Sequence, residues 1–146
     1  MAITQAIANS FKKQLLEGDH NFASAGGDEF KIALYTSSAT LNSATTVYAN
    51  TNEVSNTGQY VTGGGALVNA GTSITAGVAR CDFNDRSFTG VTLTARGALI
   101  YNTSAAVSNS AVAVLDFGSD KTATSGTFTI QFPAATSTAA ILRISG

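Results

Sequence analysis

Phe30-Lys31-Ile32-Ala33-Leu34-Tyr35 is the stretch on which the fold turns. Phe30, Ile32 and Leu34 alternate with Lys31, Ala33 and Tyr35, and a period of two places alternate side chains on opposite faces of a strand. The same signal predicts strands at Val78 to Phe83, Val91 to Arg96, Ala98 to Tyr101, Val112 to Phe117, Thr127 to Phe132 and Ala139 to Ile144. Shorter extended pieces are expected at Thr45 to Tyr48, Tyr60 to Val61 and Ala66 to Val68. Turn chemistry falls between them at Asn84-Asp85, Gly97, Asn102 to Ser104, Gly118 to Asp120 and Ser125-Gly126. Pro133, which cannot donate to a ladder, should end the preceding strand or sit on an edge. Short strands at this spacing, with no helical pattern between them, suggest a sandwich, jelly roll or small barrel.

Upstream of Phe30 the pattern differs. Ile3, Ile7, Phe11 and Leu15 recur at four-residue steps among Gln5, Asn9, Lys12, Lys13 and Glu17, which predicts a helix over about residues 4–17. Thr4 is placed to cap its start and Gly18 to take the left-handed residue after its end. Lys12 and Lys13 lie near the negative end of the dipole, and Asp19-His20-Asn21 reads as the exit turn. Four turns are marginal alone in water, so the stripe Ile3, Ile7, Phe11, Leu15 is expected to be an anchor, buried either in its own domain or on a partner. The fold class expected is therefore mainly β: an antiparallel β-sandwich or jelly roll with one N-terminal α-helix, in a single domain over residues 1–146. Its strands run from about residue 30 to 146. Residues 37–77, rich in Ser, Thr, Asn and Gly, read as a long irregular arm or lid within it.

The chain has 146 residues, a formal net charge of -1, one cysteine, one histidine and one proline. A chain of this length can bury enough surface to fold without disulfides or a structural metal. Eight basic residues are spread along it against nine acids, so neither nucleic acid nor an anionic membrane is an expected partner. The N-terminus lacks the basic, apolar and small-residue regions of a signal peptide, so synthesis in a cytoplasm is expected. Ser and Thr make up roughly a quarter of the residues and Ala about a sixth, while charge is about half its usual share. Eight Phe, four Tyr and many β-branched residues argue against disorder and for a pleated, half-buried surface. A weakly charged, Thr- and Ala-rich surface has few ions to desolvate on meeting another protein, which leans toward an assembly subunit.

The residues that could carry chemistry are few. His20, the only histidine, adjoins Asp19 at the expected helix end and reads as a solvated cap rather than as part of a Ser-His-Asp triad. One histidine and one cysteine cannot build a zinc site, and Cys81 reads as a small buried thiol. Asp82, Asn84 and Asp85 resemble an oxygen-rich cation loop, but Ser87 and Leu93 stand where such a loop needs Gly and Glu, so a turn between strands is expected. Gly63-Gly64-Gly65 is followed by Ala66-Leu67 rather than Lys and Ser or Thr, which removes a phosphate loop and leaves a bend. Asn102-Thr103-Ser104 matches a glycosylation triplet that arises readily by chance in such a chain. Asp116 with Asp120, Asp28 with Glu29, and Glu53 define no glycosidase pair, and Tyr35, Tyr48, Tyr60 and Tyr101 read as half-buried cross-strand partners rather than sugar platforms. No enzymatic activity and no cofactor is expected.

Several segments together resemble small virion proteins of tailed bacteriophages. They are the N-terminal helix followed by Phe30-Lys31-Ile32-Ala33-Leu34-Tyr35-Thr36, then Thr94-Ala95-Arg96-Gly97-Ala98-Leu99-Ile100-Tyr101-Asn102, then Ala113-Val114-Leu115-Asp116-Phe117-Gly118-Ser119-Asp120-Lys121-Thr122, and the closing Phe128-Thr129-Ile130-Gln131-Phe132-Pro133. These are core-strand and turn sequences with no chemical signature, and residues 37–77 match only loosely. The resemblance implies a structural virion role, best met by a capsid decoration or cement protein that stabilises contacts between major capsid protein subunits. The partners it implies are further copies of this chain and the phage major capsid protein or another virion protein. A tail or head-tail connector component is the alternative within the virion. A carbohydrate-binding or receptor-binding module at the particle surface is the alternative from another class.

Overall fold

The computed structural model describes residues 2–134 and 140–146. It is mainly β, with antiparallel sheets and one short N-terminal helix. In chain order the elements are β1 (Ala6–Ile7), α1 (Asn9–Leu16), β2 (Phe30–Tyr35), β3 (Gly65–Ala66), β4 (Asn69–Thr75), β5 (Val78–Phe83), β6 (Arg86–Asn102), β7 (Ser110–Ile130) and β8 (Leu142–Ile144). They form a five-stranded sheet in the order β1-β7-β6-β2-β3 and a three-stranded sheet in the order β4-β5-β8. β2 lies inside the larger sheet with Phe30, Ile32, Ala33 and Leu34 all fully buried, so both of its faces are covered. Between the two sheets Phe22 stacks on Phe30 at 4.5 Å, and Phe30 meets Phe83 of β5 at 5.4 Å, tying them to one continuous apolar core.

β2 and β5 occupy the residues the alternation predicts, and β8 falls within the predicted Ala139 to Ile144, of which Ala139 lies outside the described residues. The four strands expected between Val91 and Phe132 are instead two long ones. Gly97 is not a turn but an interior residue of β6, where a Cβ would lie 2.5 Å from the Leu115 carbonyl oxygen and 2.8 Å from Ile3. Gly118 to Asp120 is not a turn either. Ala95 pairs with Lys121 and Gly97 with Asp116, so Phe117 to Asp120 bulge out of β7 opposite the single residue Arg96. The Asp116 carboxylate holds this bulge by accepting from the Gly118 N–H at 2.9 Å and from Arg96 Nε at 3.1 Å, and both bonds hold its pKa below the ordinary carboxylate value. Ser125 likewise forms a bulge, with φ +44° and its N–H on Thr92 Oγ1.

The helix is shorter than predicted. It begins at Asn9, after Ala8 rather than Thr4, and no side chain caps it. Ala6 and Ile7 are extended and pair with Val114 and Ala113, while Ile3 bridges Leu41. The physical reason is that a four-residue step is two strand periods as well as about one helical turn, so Ile3 and Ile7 fit either conformation. Being β-branched, they take the extended one when a strand edge is available. The far end matches expectation: Gly18, at φ +77°, donates to the Leu15 carbonyl and Asp19 to that of Gln14, the two bonds of a Schellman motif.

Residues 37–77 are not a lid. Ala39, Leu41, Val54, Tyr60 and Leu67 are buried in the common core, and β3 and β4 take their places in the two sheets. Of the extended piece expected at Ala66 to Val68, only Ala66 lies in a strand, the two-residue β3. Those at Thr45 to Tyr48 and Tyr60 to Val61 reduce to single bridges, Val47 to Ser110 and Thr57 to Tyr60. Gly64, at φ +80°, marks the closest approach: a Cβ there would sit 1.8 Å from the Ile32 carbonyl oxygen.

Candidate functional site

The stripe Ile3, Ile7, Phe11 and Leu15 does not form one helical face. Ile3 is buried against Gly97, Ile7 is half-buried in β1, and only Phe11 and Leu15 lie on α1. Phe11, 2% exposed, packs on His20 at 4.7 Å and on Phe22 at 6.0 Å, so its anchoring is within its own chain.

His20 is the clearest correction among the candidate residues: it is 7% exposed rather than a solvated cap. Its Nε2 lies 2.8 Å from Gln14 Oε1 and its Nδ1 2.9 Å from Asn102 Nδ2. Gln14 Oε1 can only accept and Asn102 Nδ2 can only donate, which selects the neutral ring with its proton on Nε2. The second Asn102 N–H goes to Asp28 Oδ2 at 2.8 Å, and Asn102 Oδ1 accepts the Ser104 N–H. Asn102 is fully buried and its amide is fully used, which closes this triplet to a glycan. Phe11, Phe22 and Phe30 surround the imidazole. The cluster staples the α1 exit to the ends of β6 and β2.

All four tyrosines converge on Glu53. Tyr48 Oη donates to Glu53 Oε1 at 2.5 Å, and Tyr60 Oη and the Gly63 N–H donate to Oε2, each at 2.8 Å. Tyr101 stacks on Tyr48 at 4.6 Å and donates to the Gly63 carbonyl, while Tyr35 donates to the Ala49 carbonyl. Tyr60 Oη also accepts the Leu34 N–H at 2.7 Å. Burial first, and then the nearby Glu53 charge, push Tyr101 up to about 12 and the other three further above the ordinary phenol value. The phenols therefore stay protonated and act as donors. From the sequence alone Glu53 is a carboxylate with no defined partner. The signal that could have singled it out is its isolation, since it is the only charged residue between Lys31 and Arg80.

Cys81 is buried, and that burial pushes its thiol up to about 12. Asn84 and Asp85 do form the link between β5 and β6, with the Asp85 carboxylate accepting the Phe132 N–H. Among the described residues no three His, Cys, Asp or Glu side chains gather where an ion could sit, and no helix is long and apolar enough to cross a membrane.

A further surface feature is the outer edge of β7. β6 covers one side of this 21-residue strand; on the other, β1 pairs with Ala113 and Val114 only. Among the described residues no strand pairs with that outer edge between Leu115 and Ile130. A groove of about 720 Å³ runs along it, lined by Leu115, Phe117, Phe128, Ile130, Phe132 and Pro133 among others. From Thr122 to Phe132 the chain carries no charge and no proline. Edge strands that must stay single are normally guarded by charge, proline or a cover. No protein-family model, no curated protein and no solved structure matches this chain.

Proposed function

We propose that the chain is a structural subunit of a tailed-bacteriophage virion, acting as a capsid decoration or cement protein. The observation that carries this reading is the outer edge of β7 from Thr122 to Ile130, which carries no charge or proline and with which no strand pairs among the described residues. An open strand edge offers N–H and C=O groups to an added strand, and the groove beside it offers apolar surface. The low charge of the whole chain and the segment resemblance to small virion proteins support the same reading. Copies of this chain meet along β7, and the resulting oligomer lies across joints between capsid subunits. Each contact is modest, and many of them on a closed lattice reinforce one another through effective concentration. The two sheets close as a sandwich around the Phe22, Phe30 and Phe83 contacts, which gives the subunit a rigid body to carry load.

Stoichiometry in purified particles is the test. A cement protein is present at a level comparable to the major capsid protein, so its stained band should approach that band in molar terms. A band equivalent to a single ring of subunits would replace this reading with a connector. A few copies would replace it with a receptor-binding tip.

A further inference from the structure

Resting on the proposed association along β7, we propose that the strand which pairs with this edge is β4 of a second copy, so that successive copies join head to tail. β4 ends the three-stranded sheet: β5 covers one of its sides, and among the described residues no strand pairs with the other. No residue from Val54 to Ala79 is charged, and the one proline of the chain is Pro133, so neither charge nor proline guards the β4 edge. Thr72, Ser73, Ile74 and Thr75 are all exposed, and from Gly71 to Thr75 the pairing with β5 runs without a shift in register. The chain thus carries two open edges of like chemistry, and an extended strand laid on such an edge is held by main-chain N–H and C=O groups.

Shape decides between the pairings that two such edges allow. The β7 edge borders a groove of about 720 Å³ with Phe117, Phe128 and Ile130 in its lining, a concave surface. Two β7 edges meeting each other would set groove against groove and leave both unfilled, whereas the core of a stable interface packs as densely as a protein interior. β4 supplies the convex member. Ile74 pairs with Ala79 and Ala79 with Ile144, and side chains directly opposite in register leave the same face of a sheet. Ile74 and Ile144, 75% and 59% exposed, therefore stand in one apolar row across β4, β5 and β8, with Ile74 on the open strand itself. β1 is an example of what β7 accepts: its Ala6 and Ile7 are uncharged, pair with Val114 and Ala113, and line the same groove. β4 of the next copy continues that line past Leu115, with Ile74 in the groove. Each copy then offers β4 to one neighbour and β7 to another, a heterologous contact that generates a ring where the rotation closes.

Sedimentation of the full chain and of two edge variants, singly and mixed, tests the proposal. Ile74→Lys places a charge on the β4 edge, and Thr124→Lys, Thr127→Lys places two on the β7 edge. Each variant alone should self-associate about tenfold or more weakly than the wild type, the effect of withholding one large apolar side chain from an interface. An equimolar mixture should form a one-to-one pair and nothing larger, because one intact β7 edge and one intact β4 edge remain between the two variants. Where Ile74→Lys lowers the melting temperature, Ile74→Thr, which keeps the β-branched shape at this exposed position, carries the β4 arm. If Ile74→Lys associates as the wild type does while the β7 variant does not, the β4 assignment is overturned and the association along β7 stands. A mixture that stays monomeric, association that survives in both variants, or a wild type that does not self-associate also overturns the proposal. Copy number in purified particles is read independently of all these outcomes, so the virion reading stands or falls separately.

Discussion

Protonating His20 would put an N–H on Nδ1 against the donating amide of Asn102 and a charge among Phe11, Phe22 and Phe30. Burial lowers its pKa below the ordinary 6.5, and the charges of Asp28 and Asp19 only partly oppose this. A group whose folded-state pKa is depressed stabilises the fold fully above its unfolded value and loses that contribution as pH falls through the folded value. Melting temperature should therefore drop between about pH 7.5 and pH 5, and His20→Gln, which removes the titration, should flatten that part of the profile. A wild-type profile that stays level below pH 6.5 would contradict this account. Phe11, packed against the same imidazole, is expected to cost about 3–5 kcal/mol of folding stability when changed to Ala, measured by chemical denaturation.

At the scale of elements, Glu53 does for residues 48–63 what strand pairing does elsewhere. Tyr60→Phe removes the acceptor of the Leu34 N–H and one of the two donors to Glu53 Oε2, and should cost about 1–3 kcal/mol, the penalty for leaving the buried Leu34 N–H unmade. Proteolysis within residues 37–77 should quicken in the same variant, because the segment is pinned there. How far such elements are legible depends on what stabilises them. β2 and β5 read correctly because alternate apolar side chains meet the core, a local pattern. β4 went unseen because Asn69-Ala70-Gly71-Thr72-Ser73-Ile74-Thr75 has one large apolar residue, Ile74, which is 75% exposed; its place is set by pairing with β5. Gly97 and Gly118 read as turns because glycine punctuates chains, yet beside a long antiparallel partner the same residues make a close approach and a bulge. The Glu53 hub was hidden for a related reason. Its donors come from Tyr48, Tyr60 and Gly63, and only the folded loop brings them together.

For the whole molecule, the proposed association through the outer edge of β7 predicts how an assembly would respond to salt. Contacts that rest on ion pairs weaken as ionic strength rises, since the screening length falls from about 30 Å at 0.01 M to about 3 Å at 1 M. From Thr122 to Phe132 there is no charge to screen, and Asp116 and Lys121 stand at one end of the groove. Self-association followed by sedimentation should therefore change by less than about threefold between low and high salt, and strengthen if anything, because salting-out anions favour apolar burial. Lysines placed at the exposed positions Thr124 and Thr127 guard the edge as natural single edges are guarded. The Thr124→Lys, Thr127→Lys variant should keep the melting temperature of the wild type, since neither side chain is in the core, while losing self-association and particle binding together. If association survives both lysines, the copies meet elsewhere. If instead it falls steeply with salt in the wild type, ion pairs rather than the β7 edge hold them.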